Sequence, residues 1–164
     1  MDALSRNIQA RIEQLSANFP IIVILGVRQC GKSTLAKSVG PDWKYYDLEN
    51  PNHLERIQGD PLLFFRENSQ HVIIDEAQNT TPVQMKMVLT RLGQDSHMVI
   101  TGDLSQIDLP DGQPSGLAEA VRILENIRGV GILHLSGEDV IRHPVVARIL
   151  QAYEAGQKPQ NKNK

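Results

Sequence analysis

An α/β domain built on a mainly parallel five-stranded sheet flanked by helices is the fold class this sequence predicts. Three observations carry it. Short apolar, β-branched runs recur along the chain and alternate with segments of helical periodicity. Their length and uninterrupted character suit strands covered on both faces, as in a parallel sheet. The 164 residues, with 40% hydrophobic and 22% charged, suit one globular domain.

Residues 3 to 17 read as a helix, because Leu4, Ile8, Ile12 and Leu15 form one apolar stripe. Pro20 breaks it, and Ile21-Ile22-Val23-Ile24-Leu25 reads as the first strand. Gly26 to Gly31 is a loop, and Lys32 to Ser38 a helix. Lys44 to Leu48 is the second strand, followed by a turn at Glu49 to Asn52. His53 to Ile57 and Pro61 to Arg66 read as short helices, the latter opened by proline at its first position. His71 to Ile74 is the third strand and ends at Asp75-Glu76. Pro82 to Leu92 is helical, and Met98 to Thr101 is the fourth strand, ending at Gly102-Asp103. The Pro- and Gly-bearing stretch from Leu109 to Gly116 is a loop. Leu117 to Ile127 is a helix, Val130 to Leu135 the fifth strand, and Val140 to Tyr153 a last helix adjusted by Pro144. The domain is expected over residues 1–155, with a disordered tail at 156–164, which has no anchoring apolar residue.

Composition excludes several classes. Lys plus Arg is 17 and Asp plus Glu 19, so a wholly basic nucleic-acid-binding surface is ruled out, although a local patch is not. One cysteine excludes an internal disulfide and a Cys-rich metal site. The apolar runs are too short to span a membrane, and the first residues lack the core of a signal peptide. A soluble, cytoplasmic protein is the expectation. His134 is expected in the core or on a sheet face, and His53, His71 and His97 at the surface or in caps.

Gly26-Val27-Arg28-Gln29-Cys30-Gly31-Lys32-Ser33-Thr34 fits the phosphate-loop pattern G-x-x-x-x-G-K-[ST] between a strand and a helix. Its glycines let the backbone wrap a phosphate, and the helix that follows adds free N–H groups. Lys32 is expected to reach the β- and γ-phosphates, Ser33 to ligate Mg²⁺ and Thr34 to contact the α-phosphate. Arg28 has three readings: phosphate contact, contact with a neighbouring chain, or pairing with an acid. Cys30 is either inert filler or a thiolate favoured by the loop amides.

Asp75 and Glu76 close the third strand. Beside a phosphate loop, Asp75 is expected to hold Mg²⁺ through its water shell, and Glu76 to polarise attacking water. Thr101 or Asp103, at the end of the fourth strand, is a candidate sensor of the γ-phosphate, and Gln106 a candidate to position water. The alternative for this turn is satisfaction of its own backbone. Arg142, near the last helix, is a candidate to neutralise phosphate charge, in its own chain or the next; an ordinary surface arginine is the alternative. No guanine-recognition signature is present, which favours ATP mildly.

From Asn79 onward, Asn79-Thr80-Thr81-Pro82-Val83-Gln84-Met85-Lys86-Met87, the run Val99 to Pro110 and Asp139 to Val146 resemble the PhoH family of ATPases over residues 72 to about 153. The resemblance implies a RecA-like core similar to that of superfamily 1 helicases, a tendency to form rings and a link to RNA metabolism. It places the family's acid pair on Asp75 and Glu76, its Gly-Asp-x-x-Gln element on Gly102, Asp103 and Gln106, and its Arg-His-Pro element on Arg142, His143 and Pro144. The amino half departs from that pattern. The family's usual loop is of the Gly-Pro-Ala-Gly-Thr-Gly-Lys-Thr type, with a longer interval before the acid pair. Ile24 to Thr34, Tyr45 to Pro51 and Asp60-Pro61 instead resemble AAA-like bacterial and archaeal ATPases that carry a C-terminal domain of unknown function.

The chain therefore reads as a hybrid of two P-loop families joined near Val72 to Gln78, with engineered recombination favoured over a natural one. Both parents imply a RecA/AAA-like P-loop NTPase domain with strand order 5-1-4-3-2. The expected activity is Mg²⁺-dependent ATP binding with slow hydrolysis. The alternatives are a non-hydrolysing nucleotide-binding module and an RNA-associated ATPase. A mostly monomeric protein is expected, with a ring as the alternative.

Overall fold

The structure is a computed structural model that describes residues 3–68 and 70–136. Arg142, the expected helix 140–153 and the tail 156–164 lie outside the described residues. Helix α1 runs Ala3–Asn18, and β1 Ile21–Leu25. Helix α2 is Lys32–Val39, β2 Lys44–Asp47, α3 Pro51–Gly59, α4 Pro61–Glu67 and β3 His71–Asp75. Helix α5 is Pro82–Leu89, β4 His97–Gly102, α6 Gly116–Leu124 and β5 Val130–His134.

The five strands form one sheet in the order β2-β3-β4-β1-β5, with every neighbouring pair parallel. This is the expected order. Alternate side chains enter two separate cores, as the strand period of two requires. Ile22 and Ile24 join Ile73, Val99 and Leu133 beneath Ile12 of α1 and Ala36 of α2. Val23 and Leu25 join Val72, Ile74, Met98 and Ile100 beneath Ile57, Phe64, Phe65, Met85, Val88 and Leu117 from α3 to α6. Helices thus cover both faces, which is why the strand segments are apolar without alternation.

Caps set the helix ends. Asn50 accepts the Asn52 amide at 3.0 Å and Pro51 takes the first position, so α3 starts inside the expected turn and outruns His53 to Ile57. Asp60 and Pro61 repeat the device for α4. Thr81 and Gln84 form a reciprocal capping box at the start of α5. That helix stops at Leu89 rather than Leu92, where the Thr90 hydroxyl turns back to the Lys86 carbonyl at 2.8 Å. Ser115 caps α6, which closes in an i→i+3 turn from the Ile127 amide to the Leu124 carbonyl, so it ends at Leu124 and not Ile127.

His134 is exposed at the end of β5, not in the core. His71 is half-buried and stacks on Trp43 with ring centroids 4.7 Å apart, at the opposite end of β3 from the acid pair.

Candidate nucleotide site

The carboxyl ends of β1, β4 and β3 lie side by side, and every described candidate residue is in or next to a loop leaving them. This edge is where parallel sheets of this kind receive ligands. The loop after β1 is tightly wound. The Cys30 amide donates to the Val27 carbonyl at 3.2 Å, and Gln29 and Gly31 adopt φ of 62° and 88°. Gly31 precedes α2 directly, so this left-handed residue turns the chain into the helix. Gly26 is pinned by its amide to the Gly102 carbonyl at 3.2 Å, and a Cβ there would lie 2.6 Å from Cys30 Sγ. The helix that starts at Lys32 presents its free N-terminal amides next to this turn.

Lys32 is only 3% exposed, and its Nζ donates to the Val27 carbonyl at 3.2 Å, back across the loop. Ser33 is half-buried, and Thr34, Arg28, Gln29 and Val27 are exposed. Cys30 is buried; burial pushes its thiol up, against the lowering pull of the Lys32 charge. That shift disfavours the thiolate reading and leaves Cys30 as packing beneath Gly26.

Asp75 is 2% exposed. Its Oδ1 accepts from the Thr101 hydroxyl and its Oδ2 from the Tyr45 hydroxyl. Burial first, then the hydrogen bond and charge of Asp75, raise the Tyr45 phenol well above its ordinary value, which keeps it a donor. The Ser33 side chain lowers it slightly, so that phenol neighbours both expected Mg²⁺ residues. Ser33 and Asp75 supply hard oxygen donors of the kind Mg²⁺ takes, so the residues present fit that ion. Thr101 is fully buried, and its hydroxyl is committed between Asp75 and the Glu76 amide, the latter at 3.4 Å. It braces the acid pair, which corrects its reading as a phosphate sensor.

Glu76 sits at φ 54°, ψ 47°, in the left-handed region and just before a 3-10 turn over Ala77–Asn79. A non-glycine residue held there is strained and is typical of functional sites. Its Oε2 accepts from Gln78 Nε2 at 2.9 Å, and the same Gln78 amide accepts the Asp103 N–H at 3.2 Å through Oε1. The Gln78 carbonyl accepts from Ser115 Oγ at 2.7 Å. One residue, 1% exposed, thus fastens the acid pair to the end of β4 and to the cap of α6.

Asp103 is 2% exposed. Its Oδ1 accepts from the Ser105 amide at 2.9 Å and hydroxyl at 2.5 Å, while Oδ2 is buried without a hydrogen-bond partner among the described residues. Burial pushes this carboxyl up, but the Ser105 bonds, the Lys32 charge and the Arg28 amide outweigh it and hold the carboxyl below its ordinary range. Asp103 therefore faces the phosphate loop as an anion. Gln106 is exposed in the turn closed by its amide to the Asp103 carbonyl at 3.0 Å, and among the described residues it is the Gln78 side chain, not that of Gln106, that bonds Glu76.

The structure thus assembles Lys32, Ser33, Asp75, Glu76 and Asp103, and adds Tyr45, Gln78, Thr101 and Ser105 as their supports. The supports were not legible as such. Gln78 directly follows the Asp75-Glu76-Ala77 run, and a buried amide there has no signal in one sequence. The only signal for Tyr45 is its place on a strand that pairs with β3.

A parallel 5-1-4-3-2 sheet, a phosphate loop after β1 and an acid pair after β3 define a P-loop NTPase fold. Solved structures agree at the level of fold. Bacteroides Pif1 bound to single-stranded DNA superposes with a TM-score of 0.57 at 14% identity, covering 97% of this chain and 48% of that one. Domain III of the Thermotoga maritima replication initiation protein DnaA does so at 0.53 and 16%, covering 98% and 74%. The sequence model of the PhoH family, described as PhoH-like protein, matches residues 53–154, and the chain belongs to that family. The match reaches back to residue 53, ahead of the stretch from Val72 to Gln78 where the sequence reading places a junction. The PhoH-like protein of Bacillus subtilis (strain 168) is 50% identical over 118 residues, 66% of this chain and 37% of that protein. Protein PhoH of Escherichia coli (strain K12) is 38% identical over 123 residues, 73% and 34%. The chain spans about a third of the length of these curated relatives. Among the described residues no helix is long and apolar enough to cross a membrane.

Proposed function

We propose that the chain binds ATP with Mg²⁺ at this edge and hydrolyses it slowly to ADP and phosphate. One observation carries the reading: Lys32 and Ser33 at the start of α2 meet Asp75 and Glu76 at the end of β3, with Asp103 between their strands. In this reading the loop amides and Lys32 hold the β- and γ-phosphates, the Lys32 ammonium leaving the Val27 carbonyl to do so. Ser33 and Asp75 hold Mg²⁺, which offsets phosphate charge when bound. Glu76 orients a water towards the γ-phosphorus and receives its proton as the bond to the ADP oxygen breaks. Gln78 keeps the Glu76 carboxylate aimed, and the Asp103 carboxylate sets a negative charge beside Lys32. Arg142 supplies further positive charge; delivery by a neighbouring chain makes turnover per chain rise with protein concentration, whereas delivery within a monomer does not.

Glu76→Gln separates binding from chemistry. It is expected to retain nucleotide and lose phosphate release by about a hundredfold or more, the usual scale for a positioned general base. Unchanged phosphate release in Glu76→Gln removes Glu76 from the mechanism. Absence of release from the parent protein across a wide ATP range leaves a nucleotide-binding module.

A further inference from the structure

We propose that Tyr45 is the gate of the metal seat: its hydroxyl occupies Asp75 Oδ2 and yields when a divalent cation binds. The inference rests on the reading of Ser33 and Asp75 as the metal pair. It identifies a positioning residue on β2, a strand that carries no other candidate.

The argument starts from Asp75, a nearly inaccessible carboxylate whose two oxygens each accept a hydroxyl. The two donors differ in how they are held. Thr101 is fully buried in β4, inside the sheet, and its hydroxyl also takes the Glu76 amide. It has no room to turn away. Tyr45 is half-buried on β2, the edge strand, and its ring lies under Lys37 Nζ, 3.9 Å from the centroid. Its phenol donates to Asp75 and neighbours the Ser33 side chain. A cation's water shell offers O–H donors to a carboxylate, as a phenol does, so the two compete for Oδ2. Without metal, the phenol satisfies a buried carboxylate that would otherwise lack a donor. With metal, that bond has to be given up.

The competition has a definite sign. Tyr45→Phe removes the donor that must be displaced while keeping the ring and its contact with Lys37. The metal-free state loses a hydrogen bond and the metal-bound state does not. Tyr45→Phe is therefore expected to bind Mn²⁺ about tenfold more tightly than the parent, equivalent to about 1.4 kcal/mol. Among the described residues the Tyr45 hydroxyl bonds Asp75 and not a phosphate-loop amide, so ADP affinity in EDTA is expected to stay the same.

The test is electron paramagnetic resonance titration of Mn²⁺ into protein saturated with ADP, for the parent, Tyr45→Phe and Asp75→Asn, with ADP affinity in EDTA measured in parallel. Tighter Mn²⁺ binding by Tyr45→Phe, with unchanged metal-free ADP binding, supports the gate. Equal or weaker Mn²⁺ binding overturns it. Saturable Mn²⁺ binding by the parent that Asp75→Asn abolishes upholds the metal seat, so an unchanged Tyr45→Phe then removes the gate alone. No saturable binding by the parent overturns both. Circular dichroism verifies folding, and Tyr45→Met carries the same comparison should Tyr45→Phe not fold.

Discussion

Gln78 is the residue on which the arrangement of the site depends most, and two variants remove either both of its side-chain bonds or only the donor to Glu76. Gln78→Leu keeps the approximate volume and deletes both the donor to Glu76 and the acceptor for the Asp103 amide. The Asp103 N–H is then buried without a partner, which costs about 1–3 kcal/mol. Glu76 is half-buried, so water replaces much of its lost bond at a cost of about 0.5 kcal/mol. The sum is about 2.5 kcal/mol, a shift of about 1 M in the urea midpoint. Gln78→Glu keeps an oxygen for the Asp103 amide but turns the other towards the Glu76 carboxylate. Two carboxylates at hydrogen-bonding distance cannot both stay ionised, so one folded-state pKa rises. The folded state then binds more protons than the unfolded one, and the variant gains stability relative to the parent as pH falls from 7 to 5. Urea unfolding at both pH values reads both effects. A Gln78→Leu unfolding free energy within about 0.5 kcal/mol of the parent, or a Gln78→Glu pH profile parallel to it, would refute the reasoning.

Asp103 offers a pH test of opposite sign. Its folded carboxyl lies below the ordinary value of 3.8, so its contribution is present above that value and is lost as pH falls through the folded pKa. The stability advantage of the parent over Asp103→Asn should therefore shrink on acidification in a urea series, and a constant difference would contradict the assignment. Gly116→Ala should destabilise, although alanine is the better helix former by about 1 kcal/mol. Its Cβ would lie 2.2 Å from the Thr81 carbonyl oxygen and 2.8 Å from Met85 Cβ, where α6 meets α5. A loss of about 1–3 kcal/mol is expected, and a stabilised variant would show that this approach is not tight.

The architecture was readable where burial writes directly into sequence. Ile21 to Leu25, Val72 to Ile74 and Met98 to Ile100 are covered on both faces, so apolar, mostly β-branched runs mark them without ambiguity. The phosphate loop was readable because Gly31 must adopt a left-handed φ and Lys32 must follow it. The strand order came from the family resemblance, because nothing in the runs themselves states which strands are neighbours. The supports of the site were hidden for the same reason. Tyr45 reaches Asp75 through the parallel register that sets Asp47 beside Asp75. Gln78 reaches Asp103 because Glu76 takes a left-handed turn into a 3-10 segment, which no local propensity of Asp75-Glu76-Ala77-Gln78 favours. Thr101 looked like a ligand-facing hydroxyl from its place at a strand end, yet its neighbour across the sheet claims it.

Isothermal calorimetry of ATP and ADP with Mg²⁺, on the parent protein and on Lys32→Ala, tests the central claim most directly. Lys32 is buried against the loop it closes, and its ammonium faces both the Val27 carbonyl and the Asp103 carboxylate. The account predicts saturable binding in the micromolar range by the parent and a loss of at least about tenfold in Lys32→Ala, the scale of one charged hydrogen bond. Equal affinity in the two proteins, or no binding by the parent, would contradict it.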